Sequence, residues 1–190
     1  PVFTTTVGES VESRVQAALQ AAERDESQWE LEVVQAENVL AEEQVRLHEL
    51  TKARDLAKLD SEIARSLVDA KQDDFERLTK ARERLAGLEG RCDPGNVEFS
   101  ACDYVQKNKS AVNMTWFQDG RQAKVDATML AERYKVKKGL FDGTEKTVYN
   151  QEQLILRMKA ELRRVRVRIA TSESARTYLK QSWDELQLKH

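Results

Sequence analysis

Arg91-Cys92-Asp93-Pro94-Gly95-Asn96-Val97-Glu98-Phe99-Ser100-Ala101-Cys102 stands near the middle of a 190-residue chain, between two long segments rich in charge, Ala, Leu and Val. Pro94 and Gly95 stop a helix, and Gly87 and Gly90 loosen its approach. The chain's two cysteines, Cys92 and Cys102, bracket the turn. The stretch therefore reads as the tip of a helical hairpin. A bridge between the cysteines would close a loop of nine enclosed residues, worth about 2–3 kcal/mol in the chain-entropy description. The alternative is two free thiols in a cytosolic protein. Their position at both edges of one turn favours the disulfide, and with it a secreted, periplasmic or cell-surface setting.

Working back from the tip, residues 10–90 contain no proline and no glycine before Gly87. A 3–4 alternation runs through Val15, Leu19, Ala22, Trp29, Val33, Ala36, Leu40, Leu47, Leu50, Ala57, Ala64, Val68, Phe75, Leu78 and Leu85, which is heptad spacing. Glu26, Glu43, Arg54, Ser61, Lys71 and Arg82 occupy the same frame, so the seam is leaky. Beside it, Leu56, Leu59, Ile63 and Leu67 make a second stripe, predicting either a wider buried face or a shift of frame. Ser10 is the expected N-cap, leaving residues 1–9 as an extended tail. The opening Pro1-Val2-Phe3, with no Met and no signal pattern, reads as a processed product or an excised fragment.

Beyond the tip, which spans 91–102, Tyr104, Val105, Val112, Trp116, Ala123, Ala127, Leu130 and Tyr134 predict a helix over 103–136. Gly139 and the Asp142-Gly143 step then predict a loop over 137–146. A last helix over 147–188 carries Val148, Ile155, Met158, Leu162, Val165 and Ile169, then Leu179, Trp183 and Leu186. Ser172 and Arg176 interrupt that frame, and Thr171-Ser172-Glu173-Ser174 is a place where a bend costs little.

Charge supports the fold-back. Folding about residue 97 sets the acidic stretch 23–43 beside 151–171, which carries Arg157, Lys159, Arg163, Arg164, Arg166 and Arg168. The expected fold is thus all-α: a single domain built as an elongated antiparallel helical hairpin or coiled coil, with a disulfide-closed tip and an interrupted return helix. The rival is a three- or four-helix bundle, in which the first half breaks near 53–60.

Aromatic residues are 6% of the chain and charged residues 34%, a composition for thin helical packing with little strand. A net charge of −2 gives no reason to propose nucleic acid as a partner. No apolar run is long enough to span a bilayer. His48 and His190 are the only histidines and neither is near the cysteines, so no metal-ligand cluster, catalytic pair or cofactor motif can be nominated. Asn108-Lys109-Ser110 and Asn113-Met114-Thr115 match the N-glycosylation acceptor pattern. Trp29 and Trp183 lie in the heptad frames. Trp116 and Phe117 are adjacent and cannot both face one seam.

These readings describe a non-enzymatic, extracytoplasmic recognition or assembly module whose hairpin presents a tip to a protein partner, as surface receptors, adhesins, toxin rods and envelope adaptors do. The expected contact residues are Val97, Glu98, Phe99, Tyr104, Trp116 and Phe117. The alternative is a cytoplasmic coiled-coil scaffold. Helix over 10–87 would be on the order of 115 Å long. Small-angle scattering of the full chain should accordingly give a maximum dimension of about 100 Å or more at the ~1.5 Å rise per helical residue; a globular particle about half that size would fit the bundle instead.

Overall fold

The computed structural model describes residues 2–92 and 99–189, with side-chain surroundings for 11–92 and 101–189. Two long helical stretches pack as an antiparallel hairpin, and no strand occurs among the described residues. The first stretch is one helix, α1, Val2–Gly90. The return comprises α2, Phe99–Thr115, a π-helical turn at Trp116–Gly120, and α3, Arg121–Leu188. α1 has no internal break at 53–60, so the bundle alternative is not the fold.

The chain divides into two compact units: Pro1–Glu49 with Val148–His190, and Leu50–Thr147. In the first unit, the α1 frame from Val15 to Leu47 is half-buried or buried at every 3–4 step, and Val148, Ile155 and Leu162 of α3 are buried. Polar residues share this seam. Glu26 is buried and pairs with Arg176, whose Nε lies 3.1 Å from its Oε2. Gln151, also buried, donates from Nε2 to the Glu43 carbonyl oxygen at 3.0 Å and to the Glu43 carboxylate. Each of these groups is satisfied across the seam, and such pairs fix which residues face one another. Arg166 pairs with Glu37 at the surface, one instance of the expected acid–base facing, whereas Arg164 turns back to Glu161 of its own helix.

In the second unit, Ser61, Ala64, Val68 and Leu85 of α1 are buried with Ala101, Val105, Ala123 and Ala127 of the return. The small side chains explain why so few large residues are needed. Folding about residue 97 would set Glu89 near Val105 and Arg82 near Val112. Glu89 instead meets Lys109 and Arg82 meets Trp116, long side chains reaching about one helical turn further on, while Trp116 also bonds Thr79 and Gln151 bonds Glu43 within one residue of the register centred on residue 97.

The return seam contains one residue too many. Ala101, Val105, Asn108 and Val112 step by four, three and four, but the next inward residue is Trp116 rather than Thr115. From Trp116 the steps of four, three and four resume through Gly120, Ala123 and Ala127. The π-turn absorbs the extra residue: the Arg121 N–H bonds the Trp116 carbonyl five positions back. Gly120, buried, lies directly against the Trp116 indole.

Several sequence expectations are corrected. The return is interrupted at 116–120, not by a loop over 137–146, which is helical throughout. Gly139 and Gly143 are exposed and take no positive φ, while Tyr134, Lys137, Phe141, Thr144 and Val148 carry the seam through without a missed step. Two helix-interior glycines cost about 2 kcal/mol together, less than a continuous seam recovers. Helix begins at Val2 rather than after an extended tail, since extending a formed helix adds a hydrogen bond per residue. α2 begins at Phe99, so the tip loop ends before Cys102. α3 runs unbroken through Thr171-Ser172-Glu173-Ser174, with Thr171 Oγ1 donating to the Val167 carbonyl at 2.9 Å. Leu56, Leu59, Ile63 and Leu67 neither widen the core nor shift its frame; all four are exposed.

The two kinds of glycine predict opposite responses. A Cβ at Gly139 meets nothing within 4 Å, so Gly139→Ala should raise stability by about 0.5–1 kcal/mol in urea unfolding. A Cβ at Gly120 would lie 3.1 Å from Cδ1 of Trp116, a ring also held by Thr79 and Arg82, so Gly120→Ala should instead lower the unfolding midpoint.

Candidate recognition surface beside the tip

Cys92 and Cys102 are joined, with Cα atoms 5.3 Å apart, within the ordinary range for a disulfide. α1 ends in turn-type bonds, Arg91 N–H to the Leu88 carbonyl and Cys92 N–H to the Glu89 carbonyl, each at 3.1 Å. Glu89 then pairs with Lys109 of α2, tying the two helices together just inside the bridge. The expected contacts Val97 and Glu98 lie outside the described residues, as does the side chain of Phe99.

Tyr104, next to the buried Val105, is exposed. Trp116 and Phe117 divide the inward and outward roles between them. Trp116 is half-buried, and its Nε1–H donates to Thr79 Oγ1 of α1 at 3.2 Å. The Arg82 guanidinium lies 4.0 Å from the centre of the Trp116 ring, a close cation–π contact. Phe117 meets the edge of Trp116 at 5.3 Å between centroids, with planes at 84°. Arg82 and Arg121 approach the Phe117 ring at 5.3 and 5.7 Å. Phe117 is nevertheless 52% exposed, and Met114, three residues before it, 57%.

The result is an aromatic ring fixed from beneath and open above. Met114 and Phe117 form the apolar centre of one shallow surface, with the amides of Gln106, Asn113 and Gln118, the Ser110 hydroxyl and the Lys109 ammonium around it. Met114 was not foreseen as part of it. Its spacing from Phe117 put both on one helix face, but the extra residue of the π-turn was needed to know that the face points outward.

Of the two sequons, Asn108 occupies a seam position and donates from Nδ2 to the Tyr104 carbonyl at 2.9 Å, so the atom that would carry a glycan is engaged. Asn113 lies on the shallow surface with no such bond. Among the described residues no group of three or more His, Cys, Asp or Glu could hold a metal ion, and no helix is long and apolar enough to cross a membrane. Of the basic residues near the expected loop, Lys137 is in the seam while Lys135 and Lys138 are exposed.

Comparison with family models, curated proteins and solved structures finds no match for this chain.

Holding Phe117 depends on Arg82. Arg82→Met keeps a long side chain but removes the cation, and should lower stability by about 0.5–2 kcal/mol. The Trp116 indole N–H resonance should shift with it, while the Trp29 and Trp183 resonances stay in place; an unmoved Trp116 signal would mean that the stacking is not formed in solution.

Proposed function

We propose that this chain is a non-enzymatic recognition module that binds a protein partner at the tip end of its hairpin, in an oxidising, extracytoplasmic setting. The observation that carries this reading is the exposed Phe117, clamped over Trp116 by Arg82 and Arg121 and flanked by Met114. An aromatic immobilised before binding loses little conformational freedom on contact, and aromatic anchors ringed by polar groups are the usual energetic centres of protein interfaces. The shallow surface suits a protein better than a small molecule, which needs a concave site. The disulfide beside the surface supports the compartment, because such bridges persist where thiols are not kept reduced.

A second reading, a scaffold that recruits other helices, draws on the exposed Leu31, Val34 and Val45 of α1. Their spacing continues a heptad on the outward side of that helix. The tip reading is preferred because its apolar residue is positioned by specific contacts rather than merely left exposed.

The test is binding of a partner isolated with the full chain. Phe117→Glu and Tyr104→Glu should each abolish capture, Tyr104→Glu without changing the melting temperature and Phe117→Glu with a small loss of stability from its contacts with Trp116, Arg82 and Arg121. Capture that survives both and is instead lost on replacing Lys135 and Lys138 with Glu would move the site away from the tip.

A further inference from the structure

The second unit has one side whose character changes along its length. A groove lined by Asp74 and Arg77 of α1 and by Asp119, Gln122 and Asp126 of the return establishes which flanks of the two helices share a side, and Lys71 spans it to Asp126 at 3.7 Å. Heptad steps from those residues stay on the same flanks. Stepping away from the tip, Arg77 leads to Ile63 and Leu56, and Asp74 leads to Leu67 and Asp60. On α3, Gln122 leads to Met129 and Val136, and Asp126 leads to Arg133 and Leu140. The polar groove therefore gives way to a two-helix apolar side formed by Leu56, Ile63, Leu67, Met129, Val136 and Leu140, each between 47% and 66% exposed. A contiguous apolar surface of this kind marks an interaction site rather than scattered exposure. Gly143 continues the Met129–Val136 line, and a Cβ there meets nothing within 4 Å, leaving room for close approach.

We propose that this side is covered by a second copy of the chain, related by a two-fold axis along the helices, so that α1 of each protomer lies on α3 of its partner. The charges select this occupant and this alignment. Asp60 and Arg133 sit within the apolar side, and neither forms an ion pair among the described residues. At the level set by the Thr79–Trp116 and Lys71–Asp126 contacts, the lengthwise two-fold brings Leu56 opposite the partner's Leu140 and Leu67 opposite the partner's Met129. It also brings Asp60 within about a turn of the partner's Arg133, and Arg77 opposite the partner's Asp119. Each opposite-charge pair then occurs twice. A crosswise two-fold would instead set α1 on α1 and α3 on α3, so that within the apolar side Asp60 would meet no base and Arg133 no acid.

Sedimentation equilibrium of the full chain at micromolar concentration should give twice the chain mass. Ile63→Glu and Val136→Glu, at exposed positions on different helices, should each return the mass to that of one chain with helicity unchanged. Asp60→Arg and Arg133→Asp should each weaken the dimer, and the double exchange should restore it. A spin label at Glu83→Cys, with both native cysteines in the disulfide, reports alignment: the lengthwise two-fold places the labels a few tens of Å apart, the crosswise one ~60 Å or more on a 1.5 Å rise per residue. A monomeric wild-type chain would leave this side to a helix of another protein and overturn the proposal. A dimer that tolerates both glutamate variants would overturn the surface, and a long label distance the alignment.

Discussion

The structure depends on a seam in α1 that never misses a step. From Val15 to Leu85 each move of three or four residues along this helix lands on a half-buried or buried side chain. A helix turns about 100° per residue at 3.6 residues per turn, so a single residue added to its partner would rotate all following inward positions toward the flank. The return carries such a residue between Val112 and Trp116 and confines the mismatch to one π-turn. Everything after Trp116 is thereby back in phase, from Gly120 to Leu186.

That local solution also creates the candidate site. A wider turn separates Trp116 from Phe117 in direction: one enters the seam to bond Thr79 and stack under Arg82, and the other is left outside against its edge. Gly120 has no Cβ where the indole lies, so the turn and the ring position are one feature. π-turns recur at functional sites because the extra residue re-aims side chains that a regular helix would bury or bring into phase. Here the phase correction and the surface aromatic are products of the same inserted residue.

The helical class, the hairpin, the tip and the cysteine bridge were legible because each leaves a local mark: period, Pro94-Gly95, and two cysteines at the edges of one turn. The 137–146 expectation failed because glycine was read as a stop. Phe141 and Thr144 already kept the frame, and glycine terminates a helix only where the backbone gains from leaving it. The true interruption was less legible. Trp116 and Phe117, being adjacent, cannot share one seam, and the step of four from Val112 where three was due marks the irregularity only once the seam is known. The outward stripe of Leu56, Ile63 and Leu67 was visible as apolar spacing, but its exposure depends on where the return helix lies and no property of α1 alone reports that.

A seam this thin has a consequence for where recognition can occur. Ala64, Ala101, Ala123 and Ala127 bury little area each, and Glu26, Gln151 and Ser61 hold core positions by hydrogen bonding rather than apolar contact. Of these, the Glu26–Arg176 and Gln151–Glu43 pairs cross the seam, and such pairs favour one register over its neighbours more than they add net stability. Large apolar side chains are therefore free to stand outside the seam, as Phe117 and Met114 do beside the tip and as Ile63 and Val136 do further along the second unit. The two surfaces differ in kind. Phe117 is a single anchor held by cations, suited to docking a separate protein, whereas the Leu56–Leu140 side is broad, repeats at heptad spacing and carries one acid and one base, the pattern of helix-to-helix association. Polar and small residues set the register inside, and the hydrophobic residues thereby released outside define what the chain can bind.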